Sequence, residues 1–134
     1  MIDPEKDARA AALAALEHAY APYSGFRVGA ALVGDDGSVA SACNVENAAY
    51  PAGICAERGA LSSAVALGHR VFTLLVIATE AEEVTPPCGM CRQMLAEFAP
   101  SLPIVSITRA GLEQRWTLRE LLPHPFTPSS LHHL

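Results

Sequence analysis

From Pro4 to about Ala19 the chain is rich in alanine, with Leu13, Leu16 and Tyr20 spaced i, i+3, i+7. That period predicts an amphipathic helix with one narrow apolar stripe, packed on a sheet. Ala21-Pro22-Tyr23-Ser24-Gly25 breaks it. Val28–Val33 then reads as a strand, Gly34-Asp35-Asp36-Gly37 as a hairpin turn because Asp-Gly tolerates positive φ, and Ser38–Cys43 as the returning strand. The polar run Asn44–Ile54 carries Pro51 and Gly53 and reads as loop. A helix follows from Cys55 to about Leu67, with apolar positions at Ala56, Ala60, Ala64 and Leu67, and Gly68 is placed for a left-handed C-cap. Phe72–Ala78 is almost continuously apolar, as in a central strand covered on both faces. Beyond Pro86-Pro87, a helix from about Gly89 to Ala99 is stopped by Pro100. Pro103–Thr108 is the next strand, Gln114–Leu118 an edge strand, and Leu118–Leu122 a short helix before Pro123.

The order helix, strand, strand, helix, strand, helix, strand, strand contains two strand–helix–strand units. It predicts a three-layer α/β/α sandwich with a mixed five-stranded sheet. With right-handed crossovers and with the strands at 38–43, 72–78 and 103–108 parallel, the helices beginning near Cys55 and Cys91 start at the carboxyl edge of the sheet. Open α/β sheets keep their sites at that edge.

Composition narrows the function classes. At 134 residues, 51% of them apolar, residues 1–134 are expected to form a single domain that needs no disulfide, with His132-His133-Leu134 as a flexible or added tail. A net charge of −5 without a Lys/Arg cluster disfavours nucleic acid as a partner, since neutralising phosphates dominates that binding. No apolar run approaches the roughly 20 residues of a membrane span, and the Met1-Ile2-Asp3-Pro4-Glu5 start lacks a signal peptide's basic and apolar regions. The expectation is a cytoplasmic protein acting on small uncharged molecules.

The candidate chemistry lies in two stretches, Asn44 to Arg58 and Pro87-Cys88-Gly89-Met90-Cys91. Cys55, Cys88 and Cys91 supply three thiols, the number a catalytic zinc site takes from the protein when its fourth position is left to water. Three thiolates leave such a site negatively charged. Helix N-termini at both cysteine positions would offset that charge, as would Arg58, three residues after Cys55 on the same helix face. Alone, Glu57 reads as a solvated helix-start carboxylate. Beside three cysteines it reads as a general acid/base that moves a water proton to a substrate nitrogen.

Cys55-Ala56-Glu57 with Pro87-Cys88-Gly89-Met90-Cys91 resembles the zinc nucleoside deaminase signature in its all-cysteine form. Phe26-Arg27-Val28-Gly29-Ala30-Ala31, Asn44 to Tyr50, Arg58, Arg92-Gln93, Leu121-Leu122-Pro123 and Phe126 extend the likeness to the small homotetrameric cytidine deaminases, over roughly Tyr20 to Leu131. The resemblance implies their fold and one Zn2+ per subunit on Cys55, Cys88 and Cys91, with Glu57 as proton shuttle. It places Asn44 and Glu46 on the ribose 3′-hydroxyl, and Phe26 with the Ala56 and Cys88 backbones on the base. Ala48 and Tyr50 would reach the 5′-hydroxyl region of a neighbouring subunit's site, with Phe126 covering a base across an interface. The implied reaction is hydrolytic deamination of cytidine and 2′-deoxycytidine, as in pyrimidine salvage.

Three rivals stand beside this reading. Cys43 as a fourth ligand would make a closed structural zinc site and a binding module. Cys88-Gly89-Met90-Cys91 alone would suit a thioredoxin-like dithiol, for which Cys55 has no use. A deaminase for blasticidin-like nucleosides would share the zinc motifs but not Phe26 or Asn44-Val45-Glu46-Asn47.

Overall fold

The computed structural model describes residues 3–131; the His132–Leu134 tail lies outside the described residues. In chain order the elements are α1 (Pro4–Leu16), β1 (Val28–Gly34), β2 (Val39–Cys43), a 3-10 turn (Tyr50–Ala52), α2 (Ala56–Ala66), β3 (Phe72–Thr79), α3 (Gly89–Ala96), β4 (Pro103–Thr108), β5 (Glu113–Thr117), α4 (Leu118–Leu121) and α5 (Pro128–Leu131). The sheet order is β2-β1-β3-β4-β5. β1 is antiparallel to both β2 and β3, β3 is parallel to β4, and β5 closes the far edge antiparallel to β4. β2, β3 and β4 therefore share one direction, as expected from the sequence, although β1 lies between the first two.

Period-two alternation splits the strands between two cores of different side-chain size. Leu32, Leu75, Ile77 and Ile104 point to the face covered by α2, together with Leu95 of α3 and Leu118 of α4. Ala31, Val33, Val76, Ala78 and Val105 point to the opposite face, under α1. All seven residues of β1 are buried, because it is flanked by strands and covered on both faces.

The stripe of α1 differs from the sequence expectation. Its fully buried positions are Ala8, Ala12 and Leu16, spaced i, i+4, i+8, whereas Leu13 is only partly buried and Tyr20 lies exposed beyond the helix end. The cause is a close approach at Gly29 of β1, where an added Cβ would sit 2.0 Å from the Ala12 carbonyl oxygen and 2.7 Å from the Leu16 nitrogen. Alanine on the helix and glycine on the strand let the two backbones touch, so the smallest residues form the buried seam.

α2 also departs at its end. Ala56, Ala60, Leu61 and Ala64 are buried, but Leu67 is exposed because the helix stops there. Gly68, at φ +98°, donates to the Val65 oxygen while His69 donates to the Ala64 oxygen, the two bonds of a Schellman cap. α3 is shorter than expected: after Ala96 the chain tightens, with the Phe98 and Ala99 nitrogens both donating to the Leu95 oxygen.

Candidate active site

The two strand–helix–strand units bring the starts of α2 and α3 side by side. Cys55 is the N-cap residue of α2 and Cys88 that of α3, while Cys91 lies in the first turn of α3, buried. Neither N-cap side chain accepts from a backbone N–H of its own helix, so both sulfurs are left to face the third thiol. The Cys55 and Cys88 sulfurs are 3.9 Å apart, those of Cys88 and Cys91 3.3 Å, and all three lie within 4.8 Å of one another. Zinc–sulfur bonds of about 2.3 Å in tetrahedral geometry place sulfurs roughly 3.8 Å apart, so this set needs at most about an ångström of adjustment to close on one ion. Cys43, at the end of β2, is not in the cluster, which leaves a fourth position open among the described residues.

Arg58 supplies a second test of fit. Its Nη2 donates to the Gly53 carbonyl at 3.1 Å, holding the loop that delivers Cys55. Its Nε is buried without a partner. Arg58 also helps to hold the Cys55 thiol below its ordinary range, so its charge is felt at that sulfur. A positive charge felt at Cys55 fits a site in which three thiolates would surround one ion.

Protonation is uneven within the cluster. Hydrogen bonding from Cys91, aided by Cys88 and Arg58, brings the Cys55 thiol from 9.0 down to about 5. Cys91 is pushed up, as the donor in that bond and by burial. An ion held by the three sulfurs would take the place of their protons. Glu57, in the first turn of α2 and only 6% exposed, has its pKa raised chiefly by burial and further by the neighbouring Cys55 sulfur. Burial thus favours the protonated form of this carboxyl more than water would.

These groups open onto a cavity of about 160 Å³ lined by Phe26, Asn44, Cys55, Ala56, Glu57 and Cys88, together with Val28, Ile77, Thr85 and Pro86. The side-chain amide of Asn44 is spent on the backbone: its nitrogen donates to the Phe26 oxygen at 2.8 Å and its oxygen accepts from the Val28 nitrogen at 2.9 Å. It fixes the segment that carries the Phe26 ring. A second hollow of about 390 Å³ is lined by Tyr23, Ser24, Glu46, Asn47, Tyr50 and Gly53. Glu46 accepts there from the Tyr23 and Ser24 nitrogens and from the Ser24 hydroxyl, and the Ser24 bond above all holds its pKa low.

The chain thus gathers Cys55, Cys88, Glu57, Phe26, Asn44 and Ala56 at one cavity, with Cys91 buried behind it against the other two thiols, and Glu46 and Tyr50 at a second. Ala48 is exposed and lines neither, and Phe126, 59% exposed, lines neither. Sequence reasoning passed over Thr85 and Pro86, although they adjoin the Pro87-Cys88 motif. Val28 and Ile77 read only as core, which their strand patterns also predict. Ser24 carried no signal beyond the turn it sits in.

Residues 3–106 match the family described as the cytidine and deoxycytidylate deaminase zinc-binding region. The chain belongs to that deaminase family. A cytidine deaminase of Sporosarcina psychrophila is 43% identical over 118 residues, 87% of each chain. The crystal structure of a cytidine deaminase from Burkholderia pseudomallei superposes with a TM-score of 0.86 at 45% identity, covering 90% of this chain and 98% of that one. A blasticidin-S deaminase of Bacillus cereus is 32% identical over 108 residues, 75% of this chain and 76% of its own. The match to a zinc-binding region agrees with the thiol geometry, and the solved deaminase structure carries the same three-layer fold as this chain. Within the deaminase family, Cys55, Cys88 and Cys91 are the group suited to hold one zinc ion.

Proposed function

We propose that this chain is a zinc-dependent cytidine deaminase, converting cytidine and 2′-deoxycytidine to uridine and 2′-deoxyuridine with release of ammonia. One observation carries the reading: the buried Glu57 carboxyl lines the same small cavity as Cys55 and Cys88, two of the three clustered thiols, and as the Phe26 ring. That cavity suits one flat ring, and the hollow lined by Glu46 suits a sugar.

Zinc held by Cys55, Cys88 and Cys91 supplies Lewis-acid activation of water. Glu57 accepts a proton from the water whose oxygen adds to C4 of cytosine, and gives that proton to N3. It then moves the new hydroxyl's proton to the amino group, which leaves as ammonia while C4 keeps its oxygen as the uridine carbonyl. Burial lets Glu57 serve in both directions. The Phe26 ring stacks on the base, and the Ala56 and Cys88 backbones meet its edge. Asn44 and Glu46 receive the ribose 3′-hydroxyl: the Asn44 amide keeps a second N–H beside its bonds to Phe26 and Val28, and one of about four carboxylate acceptor sites on Glu46 is left over from its loop bonds.

The same reading makes residues 1–134 one domain, acting in the cytoplasm in pyrimidine salvage and assembling as a homotetramer. Tyr20, Tyr23, Met90 and Phe126 are large apolar side chains left exposed, and contact with neighbouring subunits would cover them. In a tetramer Ala48, Tyr50 and Phe126 would serve an adjacent subunit's site. No helix among the described residues is long and apolar enough to cross a membrane, and the net charge of −5 does not suit nucleic acid.

The test is loss of cytosine absorbance and release of ammonia from cytidine, with zinc counted in the same sample and deoxycytidine, cytosine and blasticidin S run in parallel. Turnover of both nucleosides with about one zinc per chain is expected. Turnover of blasticidin S alone, or none with zinc bound, would overturn the substrate assignment.

A further inference from the structure

Arg92 and Gln93, the two residues that follow Cys91, both turn their side chains onto backbone. Arg92 Nε donates to the Pro87 carbonyl at 2.7 Å, and Nη1 donates to the Leu121 carbonyl at 3.0 Å. Gln93 makes a two-point bond to one residue: its Nε2 donates to the Phe126 oxygen at 2.8 Å and its Oε1 accepts from the Phe126 nitrogen at 3.1 Å. Adjacent residues of α3 therefore hold the loop before Cys88 on one side and the segment from Leu121 to Phe126 on the other.

Each contact has a physical reason. The Pro87 carbonyl belongs to the peptide that leads into Cys88, so fixing its plane fixes where the Cys88 backbone and sulfur start. Proline has no N–H, and Pro86-Pro87 leaves the loop little backbone bonding of its own. Leu121 ends α4, where the last carbonyls lack helical partners and a cation is favoured. Phe126 lies beyond α4 in an irregular stretch, and an amide that donates and accepts at once is what a lone extended residue needs for both of its backbone groups.

We propose that Arg92 and Gln93 are positioning residues that join the metal loop and the C-terminal segment into one unit, Arg92 setting Cys88 for the ion and Gln93 setting Phe126 for the base. This rests on the deaminase reading for Phe126, but its metal half needs no substrate. A guanidinium fork makes both of Arg92's bonds at once; an ammonium at that position can serve only one well.

The test uses zinc-loaded full-length protein. Zinc transfer to a chromogenic chelator is followed at a temperature well below unfolding, with far-UV circular dichroism taken on the same sample. Arg92→Ala is expected to release zinc about 10–100-fold faster, the range typical of lost outer-shell support of a metal ligand, and Arg92→Lys to fall between it and the parent. Should Arg92→Ala not fold, the lysine variant decides alone. Release at the parental rate from folded Arg92→Lys would then overturn the metal half, as it would from folded Arg92→Ala.

For Gln93, the variant is Gln93→Met, which keeps length and loses both bonds, compared with Gln93→Glu, which keeps the acceptor but sets a carboxylate against the Phe126 oxygen. Both are expected to raise KM for cytidine several-fold, with kcat and the zinc-release rate near parental. An unchanged KM in both would overturn the base half, whereas parental protein inactive on cytidine would refute the substrate assignment and leave the zinc-release result standing.

Discussion

Replacing Gly29 by alanine places one methyl group at the tightest backbone contact described between helix and sheet. Its carbon would stand 2.0 Å from the Ala12 oxygen, 2.7 Å from the Leu16 nitrogen and 3.1 Å from the Ala12 carbonyl carbon, all of them backbone atoms that no rotamer change can move. Ordinary contact needs about 3.5 Å, so α1 has to lift by more than an ångström. Lifting it unseats Ala8, Ala12 and Leu16, which are fully buried. Overpacking of a well-packed core costs about 1–3 kcal/mol, and a clash confined to backbone belongs at the upper end. With an unfolding entropy near 2.1 cal/mol/K per residue, about 3 kcal/mol lowers Tm by roughly 10 °C in a chain of this size. Gly89→Ala is the control, because its Cβ meets nothing within 4 Å. Thermal unfolding by circular dichroism, at equal protein concentration and zinc loading, reads both. A Tm for Gly29→Ala within about 2 °C of the parent would show that α1 does not rest on Gly29 as described.

Three further outcomes are expected. Glu57→Gln should keep its zinc and its circular dichroism spectrum while kcat for cytidine falls about 10²–10⁴-fold; substantial turnover would remove Glu57 from the proton path. Cys43→Ala should retain full zinc content by elemental analysis, since Cys43 stands outside the thiol cluster, and loss of zinc would bring back a four-cysteine structural site. The third concerns pH. Bonding to Arg115, with help from Arg9, lowers the pKa of Glu5 from 4.5, so its contribution is present above about pH 4.5 and fades as pH falls through the lower folded value. Glu5→Gln should cost at most about 1 kcal/mol at neutral pH, because the pair is solvent-screened, and the difference from the parent should close in acid; a gap that persists well below pH 4 in urea titrations would refute the linkage.

Much of the fold was legible in the one-dimensional pattern because its causes are local. The Asp-Gly turn after β1, the apolar run of β3 and Gly68 after α2 each act over a few residues, and the elements formed where those signals lie. The metal ligands and Glu57 were legible for another reason: three thiols and a carboxylate at two helix starts are chemically conspicuous in a chain of alanine, leucine and valine. The buried seam of α1 was not, because hydrophobicity ranks Leu13 above Ala12, and only the approach of Gly29 from β1, far along the chain, makes alanine the better fit.

What the sequence by itself determined is thus the kind of chemistry and the sequence of elements that carries it. The tertiary structure alone decided that Glu57 is buried, that the Arg58 Nε is left needing an acceptor, that the Asn44 amide is spent on Phe26 and Val28, and that Phe126 hangs from Gln93 rather than lying in its own chain's cavity. Burial, distance and hydrogen-bond partners depend on residues brought together from separate strands and helices. They are set by how α2 and α3 cross the sheet, which no local pattern records.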